Sequence, residues 1–131
     1  EELLHWFLKS HFIPVISPIG YDKNYDTYNI NADTMSGSVA SSISSERLIL
    51  LTDVEGVLDK KGNLLTEISL SEVKKLIKNG TISRGMIPKV ATCVDAVTNG
   101  VEAAVILNGK LPHAILLEIF TERGVGTLIT R

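Results

Sequence analysis

The side chain best suited to binding an anion is Lys89, near the start of a predicted helix that begins around Gly85. Pro88 fits that first turn, because amides there have no intrahelical acceptor. A cation at this end opposes a helix dipole that favours anions by roughly 0.3 to 1 kcal/mol, unless an anion shares the site. Free amides, a glycine and a lysine together predict a phosphate cradle. The alternative is a solvated lysine whose charge points away, and Arg84 either adds positive potential or is merely exposed.

A second polar segment, residues 29–33, lies where a predicted strand leads into a predicted helix. Asn29 and Asn31 point the same way if the strand's period of two continues, while Asp33 stands in the first helical turn. Asn31 has a structural explanation as an N-cap, and Asp33 as an acid favoured by the helix dipole. Asn29 is harder to explain structurally, because asparagine is disfavoured within strands.

A third segment, residues 52–57, follows an apolar strand predicted at 47–51. Ligands of open α/β sheets bind beyond the carboxyl ends of strands, and Gly56 would let the backbone approach a ligand closely. A turn containing an Asp and a Gly is also common in such loops, so both interpretations stay open. The sequence has neither a Walker loop nor a G-x-G-x-x-G pattern. These residues alone therefore indicate an α/β domain with a candidate phosphate site.

The apolar pattern predicts the elements that must hold these segments. Four apolar strands alternating with helices predict an α/β fold with a mainly parallel sheet covered on both faces. Ser69 and Glu72 fit a capping box at the start of one helix. The predicted helices are 1–11, one starting at Asn31, 69–79, one from about 85 to before 100, and 112–120; the predicted buried strands are 12–16, 47–52, 101–107 and 127–130, with a polar hairpin at 20–29.

The composition is that of one ordinary globular domain: 131 residues, 44% hydrophobic and 21% charged, with a formal net charge of -2. Lys and Arg are interspersed with acids, which disfavours a non-specific nucleic-acid binder. Three distant histidines and a single cysteine, Cys93, provide neither zinc-ligand spacing nor an internal disulfide. No apolar run approaches the ~20 residues that a membrane span needs. The opening Glu1-Glu2-Leu3-Leu4 reads as a chain cut from something longer.

Three separated motifs resemble, in order and spacing, the carboxyl-terminal half of the acetylglutamate-phosphorylating members of the amino acid kinase family. They are Tyr28-Asn29-Ile30-Asn31-Ala32-Asp33-Thr34, Leu50-Leu51-Thr52-Asp53-Val54-Glu55-Gly56-Val57-Leu58 and Gly85-Met86-Ile87-Pro88-Lys89-Val90. The resemblance implies a three-layer αβα sandwich, with residues 1–131 as its ATP-binding half and the N-terminal acetylglutamate-binding half absent. It also implies transfer of the γ-phosphate of ATP to the γ-carboxylate of N-acetyl-L-glutamate, in arginine biosynthesis.

The resemblance implies roles for individual residues. Asn29 is expected to bind the amino acid substrate, Asp33 to orient the catalytic lysines, and Lys89 to neutralise charge on the transferring phosphoryl group. The expected co-substrate is ATP with Mg²⁺, without a tightly bound cofactor. The expected nucleotide-binding residues are Thr52, Asp53, Gly56, Val57, Leu58, Thr81, Ile82, Ser83 and Met86. The family's first lysine, glycine-rich loop and substrate-binding arginine are not in these residues, so this chain alone is expected to bind nucleotide at best.

The end of the chain, residues 112–127, resembles the signature of arginine-inhibited members. Glu118 and Gly124 stand where a glutamate and a glycine help to hold the effector, and a carboxylate facing a guanidinium is physically sensible. A surface helix followed by a glycine turn explains the tail about equally well. The chain departs from the family pattern at Arg84, where a small residue is expected, and at Glu55, where proline or a small polar residue is common. Arg84 either crowds the nucleotide or adds a phosphate contact.

A function from a different class stays open: a non-catalytic arginine-sensing domain, such as the kinase-like part of some acetylglutamate synthases. Such a domain has no reason to keep the phosphoryl-transfer residues. The resemblance also implies a homo-oligomer with a dimer core, a hexamer in arginine-inhibited members, and a PII signalling protein as partner of some photosynthetic members. Neither nucleic acid nor a membrane is an expected partner. The bacterial cytoplasm and the plastid stroma fit a single cysteine equally well.

Overall fold

The computed structural model describes residues 1–122 and 124–131. In chain order its elements are α1 (Glu2–Lys9), β1 (Ile19–Tyr21), β2 (Thr27–Asn29), α2 (Ala32–Ser42), β3 (Arg47–Thr52), β4 (Glu67–Ser69), α3 (Leu70–Lys78), α4 (Met86–Thr98), β5 (Ala103–Asn108), α5 (Ala114–Phe120) and β6 (Thr127–Thr130). Strands β1 and β2 form an antiparallel hairpin, as predicted, and the other strands form one sheet in the order β3-β5-β6-β4. None of the helices in the described ranges is long and apolar enough to cross a membrane.

The four-stranded sheet is mainly parallel. Strand β3 pairs with β5 in parallel, from Arg47 opposite Ala103 to Thr52 opposite Asn108. Strand β6 lies between β5 and β4. It pairs in parallel with β4 and antiparallel with β5. Because β3 and β5 are parallel, their carboxyl ends meet at one edge, which is where the predicted nucleotide loop begins. The predicted α/β fold class is confirmed.

Helices cover both faces of this sheet. On one face Leu48, Leu50 and Ile106 join apolar residues of α2, α3 and α4 in the larger core. On the other face Val105 and Leu107 pack with Ala114 of α5. Strand β5 is buried from Ala103 to Leu107, because successive side chains alternate between two covered faces.

Two predicted helix starts are confirmed by their capping geometry. The Asn31 side chain accepts a hydrogen bond from the Thr34 amide at 3.1 Å, so Asn31 is the N-cap of α2. At α3, Ser69 and Glu72 cap each other's backbone amides, which makes the predicted capping box. The hydrogen bonds from the Ser69 amide and hydroxyl hold the pKa of Glu72 below its usual value. Gly80 follows this helix with a positive φ of 75°.

The predicted strand at 12–16 is wrong for this structure, and β4 takes the fourth place in the sheet instead. Residues 12–16 have no regular secondary structure. The side chains of Ile13 and Val15 are 91% and 94% exposed. Pro14 has no amide hydrogen for a strand ladder, and an apolar run indicates a tendency toward burial without specifying a neighbour. The short strand β4 was missed because its three residues, with Ile68 alone apolar, are too few to establish an alternating pattern.

Other predicted boundaries shift by only a few residues. The helix predicted at 1–11 is α1, which buries none of its residues. The strand predicted at 101–107 begins at Ala103, and the helix predicted at 112–120 begins at Ala114. His113 precedes that helix with φ 59°, a left-handed conformation that delays the helix start.

Candidate functional site

The charged centre of the site is an ion pair between α4 and α2. Lys89 Nζ lies 2.9 Å from Asp33 Oδ2 and 3.2 Å from Asp33 Oδ1. Both side chains are about three-quarters buried, with 24% and 23% of their surfaces exposed. The two residues are 56 positions apart in sequence. Partial burial weakens solvent screening of this pair compared with one on an open surface.

Close packing of α2 on α4 positions this pair. A Cβ added at Gly37 of α2 would lie 2.6 Å from Thr92 Cγ2 of α4. Real Cβ contacts are not that short, so only glycine allows the two helices to approach this closely. The distance between α2 and α4 therefore depends on Gly37. Because Asp33 is on α2 and Lys89 on α4, the distance between their side chains depends on how closely these helices pack.

The helix dipoles explain the charges of the pair. Asp33 lies in the first turn of α2, where a negative charge is favoured. Lys89 is the fourth residue of α4, where a positive charge is disfavoured unless an anion is near. Asp33 is that anion in this structure. The position of Lys89 is therefore not that of a solvated lysine pointing away.

The predicted phosphate cradle at α4 differs from expectation in its amides. The Met86 amide donates to the Ser83 carbonyl and the Ile87 amide to the Arg84 carbonyl. Pro88 has no amide hydrogen. The first turn of α4 therefore offers fewer free amides than its sequence suggested. The charge of Lys89, rather than backbone amides, is the main feature of this helix end that favours an anion.

The thiol of Cys93 lies beside the ion pair and takes no part in it. Cys93 is fully buried in the larger core. Burial, together with the negative charge of Asp33, raises its pKa to about 12, although Lys89 acts in the opposite direction. The thiol is therefore neutral at physiological pH and is a packing group rather than a nucleophile.

Asn29 ends β2, two residues before the Asn31 cap. It pairs with Ile19 in the hairpin and its side chain is exposed. Asp22 fixes the turn of that hairpin by accepting hydrogen bonds from the amides of Asn24 and Asp26. The hairpin thus presents Asn29 to solvent at the entrance to α2, four residues before Asp33.

The first predicted nucleotide segment begins at the common carboxyl edge of β3 and β5. Thr52 lies opposite Asn108, and its carbonyl accepts a hydrogen bond from the Gly109 amide at 2.8 Å. The Thr52 hydroxyl lies 3.3 Å from Asp53 Oδ1. Beyond them Gly56 and Val57 are buried, and Leu58 forms an isolated bridge with Leu64.

The other predicted nucleotide-binding residues are Thr81, Ile82 and Ser83, in the connection from α3 to α4, and Met86, the first residue of α4. The Thr81 amide and hydroxyl both donate to Asn79 Oδ1. Ile82 is buried and, like Val57, belongs to the larger core, against which Met86 also packs. Ser83 is exposed. The two segments therefore border one core. The amides of Val57 and Ile82 donate to Thr127 Oγ1 and to the Leu76 carbonyl, which leaves only their carbonyl oxygens as backbone groups for a ligand.

A separate cavity of about 560 Å³ contains Glu118 and Gly124. Glu118 is buried, and its Oε2 accepts a hydrogen bond from the Val125 amide at 2.8 Å. Gly124 has φ 61°, and a Cβ there would lie 2.5 Å from Glu118 Oε2. The structure thus brings these two predicted effector residues together. Sequence reasoning missed Arg47, Thr66, Glu67 and Leu128, which line the same cavity; they come from three distant segments and share no sequence signal.

Among residues 1–122 and 124–131, no group of three or more His, Cys, Asp or Glu side chains is placed to hold a metal ion. Magnesium in phosphoryl-transfer sites is commonly held by one or two carboxylates together with the phosphates of the substrate. The carboxylates among the predicted catalytic and nucleotide-binding residues are Asp33, which is paired with Lys89, and the exposed Asp53. These residues fit a cation that arrives with a nucleotide rather than a metal bound by the protein alone.

The family model described as "Amino acid kinase family" matches residues 1–108. The chain belongs to the amino acid kinase family. It is 60% identical over 127 residues to an acetylglutamate kinase of Bartonella tribocorum, a match that covers 97% of this chain and 42% of the relative. An acetylglutamate kinase of Brucella anthropi is 56% identical, with 97% of this chain and 43% of the relative covered. The chain thus spans less than half the length of these relatives.

Solved structures of other proteins share the fold. N-acetylglutamate synthase from Neisseria gonorrhoeae, in complex with coenzyme A and L-arginine, is similar with a TM-score of 0.92 at 29% identity, over 98% of this chain and 30% of that one. Giardia carbamate kinase is similar with a TM-score of 0.74 at 22% identity, over 99% of this chain and 47% of that one. The second likeness shows the fold alone.

Proposed function

We propose that the full-length protein is an acetylglutamate kinase and that this chain is its carboxyl-terminal, ATP-binding half. The reaction transfers the γ-phosphate of ATP to the γ-carboxylate of N-acetyl-L-glutamate. The observation that carries this proposal is the Lys89–Asp33 ion pair, with both oxygens of Asp33 within 3.2 Å of the ammonium. The names of the relatives at 55–60% identity support the same substrate.

In this proposal Lys89 stabilises the transferring phosphoryl group. Phosphoryl transfer depends on positioning and on neutralising charge in the transition state, with little covalent chemistry by the protein. A lysine ammonium has three donors, and Asp33 occupies at most two of them. At least one donor of Lys89 therefore remains for a phosphoryl oxygen. Asp33 acts as a positioning residue, because it fixes the ammonium without itself reaching the phosphate.

The remaining residues bind the two substrates. Asn29, exposed at the end of β2, offers amide donors and an acceptor to the amino acid substrate. Mg²⁺ bound with the ATP phosphates would supply further positive charge, with Asp53 as the carboxylate free to meet it. The proposed nucleotide-binding residues are Thr52, Asp53, Gly56, Val57, Leu58, Thr81, Ile82, Ser83 and Met86, with Val57 and Ile82 acting through their carbonyl oxygens.

Replacement of the lysine tests this proposal. ADP formation by the full-length protein is measured with N-acetyl-L-glutamate for Lys89→Ala and for a control, Lys78→Ala, at an exposed position in the last turn of α3. Loss of one preorganised cation at a phosphoryl site is expected to lower kcat by about 10²- to 10³-fold. The control keeps wild-type kcat. A kcat for Lys89→Ala within threefold of wild type would contradict the proposed role.

We also propose that L-arginine inhibits the full-length protein by binding in the cavity around Glu118. A buried carboxylate fixed by the Val125 amide is preorganised for a guanidinium, which pairs with carboxylates through two parallel hydrogen bonds. Glu67 and Glu122 add two further carboxylates to the lining. The similarity to a synthase crystallised with L-arginine supports this ligand class. The homo-oligomer and the PII partner stay predictions.

The second candidate function is an arginine-sensing domain of an acetylglutamate synthase. The TM-scores of 0.92 and 0.94 to synthase structures favour it as an alternative. Two observations weigh against it: the identity to these synthases is 28–29%, against 55–60% to the kinases, and the Lys89–Asp33 pair has no use in a domain that only senses arginine. A synthase would also require an acetyltransferase domain in the full-length protein.

A further inference from the structure

One buried side chain fastens the loop after β3 to the start of β6. The Val57 amide donates a hydrogen bond to Thr127 Oγ1 at 2.8 Å. Thr127 has no exposed surface and is one of two buried polar or charged side chains in the described part of the chain, the other being Glu118. A buried amide without an acceptor is strongly unfavourable, so the position of Val57 depends on this hydroxyl.

Two glycines allow the segments to approach. Gly56 has φ 150°, and a Cβ there would lie 2.6 Å from Thr127 Oγ1 and 3.2 Å from the carbonyl oxygen of Ile106. A Cβ at Gly126 would lie 2.5 Å from the same carbonyl oxygen. The loop after β3 and the segment before β6 therefore both pack closely against β5 near its carboxyl end. Neither Gly56 nor Gly126 has room for a side chain.

The loop between these attachments is held at both ends. At one end Thr52 is still in the sheet ladder, opposite Asn108. At the other end Thr127 holds the Val57 amide, and the Val57 carbonyl accepts a hydrogen bond from the Leu65 amide at 2.9 Å. Residues 53–56 span the gap between the two ends. The shape of this short loop is consequently set by the distance between the end of β3 and Thr127.

We propose that Thr127 is a positioning residue for ATP: its hydroxyl fixes Gly56 and Val57, so that loop 53–56 keeps the shape that binds the nucleotide. This inference rests on the proposed function, in which the loop belongs to the ATP site. Thr127 lies beyond residues 1–108, which the family model matches. Thr127 also directly follows Gly126, which lines the Glu118 cavity. The start of β6 therefore borders both this cavity and the proposed ATP loop.

The test uses the full-length protein and compares Thr127→Val, Thr127→Ser and Thr130→Val. Valine keeps the shape of threonine but removes the acceptor, whereas serine keeps the hydroxyl. Thr130, on the same strand, makes no side-chain hydrogen bond among the residues described and serves as the matched control. The measurements are the Kd of a non-hydrolysable ATP analogue, the KM for N-acetyl-L-glutamate, and the Tm of each variant.

The expected result is a Kd raised about tenfold in Thr127→Val, because the Val57 amide loses its acceptor and the loop loses its shape. The KM for N-acetyl-L-glutamate stays within twofold, Thr127→Ser restores the Kd to within twofold, and Thr130→Val changes neither. If Thr127 had a purely structural role, Thr127→Val would change Tm, but it would not affect the ATP analogue more than N-acetyl-L-glutamate. The inference would be overturned if the Kd of the ATP analogue were unchanged in Thr127→Val, or if this Kd and the KM for N-acetyl-L-glutamate rose by the same factor.

If Thr127→Val fails to fold, hydrogen exchange at the Val57 amide of the unchanged protein decides the matter. Slow exchange there, against fast exchange at the exposed amides of residues 53–55, supports the attachment; equally fast exchange overturns it. The proposed function fails separately: a wild-type protein that binds the ATP analogue without phosphorylating N-acetyl-L-glutamate refutes the kinase assignment, and leaves the effect of Thr127 on the Kd measurable.

Discussion

Asp33 and Lys89 bind each other across the interface of α2 and α4, with the ammonium 2.9 Å from the nearer carboxylate oxygen. Each residue stands near the N-terminus of its helix, where the dipole favours Asp33 and disfavours Lys89. The pair thus holds a cation at a helix end whose dipole disfavours positive charge. In the proposed kinase, Asp33 keeps the charge of Lys89 in place for a phosphoryl group.

Replacement of Asp33 by asparagine is expected to impair transfer more than binding. The Asp33→Asn side chain keeps its shape but no longer attracts the ammonium, so Lys89 loses its fixed position. We expect kcat of the full-length protein to fall by about tenfold to a hundredfold, with the KM for ATP within threefold, since a misplaced charge mainly destabilises the transition state. Asp95→Asn, at an exposed position of α4, is the control and keeps both values. Equal kcat in the two variants would count against the positioning role.

The approach of α2 to α4 predicts an unusual effect of Gly37→Ala. Alanine normally stabilises a helix by about 1 kcal/mol relative to glycine. Here the added methyl group would meet Thr92 Cγ2, and overpacking is expected to destabilise the protein by about 1–3 kcal/mol. Thermal unfolding should show a lower Tm for Gly37→Ala, no decrease for Ser38→Ala on the exposed side of α2, and partial recovery in Gly37→Ala with Thr92→Ser. A Tm raised by Gly37→Ala alone would refute the close contact.

Burial of the Cys93 thiol predicts a fall in stability at alkaline pH. Its pKa is raised from the ordinary 9.0 to about 12 in the folded protein. Between these values the unfolded chain releases a proton that the folded chain keeps, so the free energy of unfolding decreases as pH rises through this range. Urea unfolding at pH 8 and pH 10.5 measures the decrease in wild type and in Cys93→Ala. We expect a smaller decrease in the variant; an identical decrease would show that the thiol titrates normally.

The Glu118 cavity predicts that arginine inhibition and catalysis are separable. In Glu118→Gln the guanidinium of arginine loses its charged partner, so the arginine concentration for half-inhibition should rise about tenfold or more. Glu118 belongs to α5 and lines a cavity that contains neither Lys89 nor Asp33, so kcat without arginine should stay within twofold. Inhibition assays with Glu102→Gln, an exposed acid outside the cavity lining, provide the control. Undiminished inhibition of Glu118→Gln would place the effector elsewhere.

The sequence predicted the parts of this fold in which local chemistry determines structure. The caps at Asn31 and Ser69 lie where their residue types indicated, and β3 spans the predicted residues 47–52. Local pattern failed at 12–16, because a strand depends on a pairing partner, and that partner can be far away in the sequence. It failed again at β4, whose place in the sheet depends on β6.

In the candidate site, too, some features were predicted from the sequence and others were not. The resemblance implied that Asp33 orients the catalytic lysines, and the structure brings it to Lys89 across 56 positions. The bond between Val57 and Thr127 spans 70 positions and has no sequence pattern of its own. The same holds for the lining of the Glu118 cavity by Arg47 and Thr66. Contacts of this kind are set by how the elements pack, which spacing along the chain does not encode.

The most direct test of the central proposal follows the phosphoryl group itself. Full-length protein is incubated with ATP labelled at the γ-phosphate and with N-acetyl-L-glutamate, and hydroxylamine is added to convert any acyl phosphate into a stable hydroxamate. The proposal predicts hydroxamate in amounts equal to the labelled phosphate that leaves ATP, with both greatly reduced in Lys89→Ala and unchanged in Lys78→Ala. Binding of ATP or arginine without any hydroxamate would contradict the kinase and favour a domain that only senses arginine.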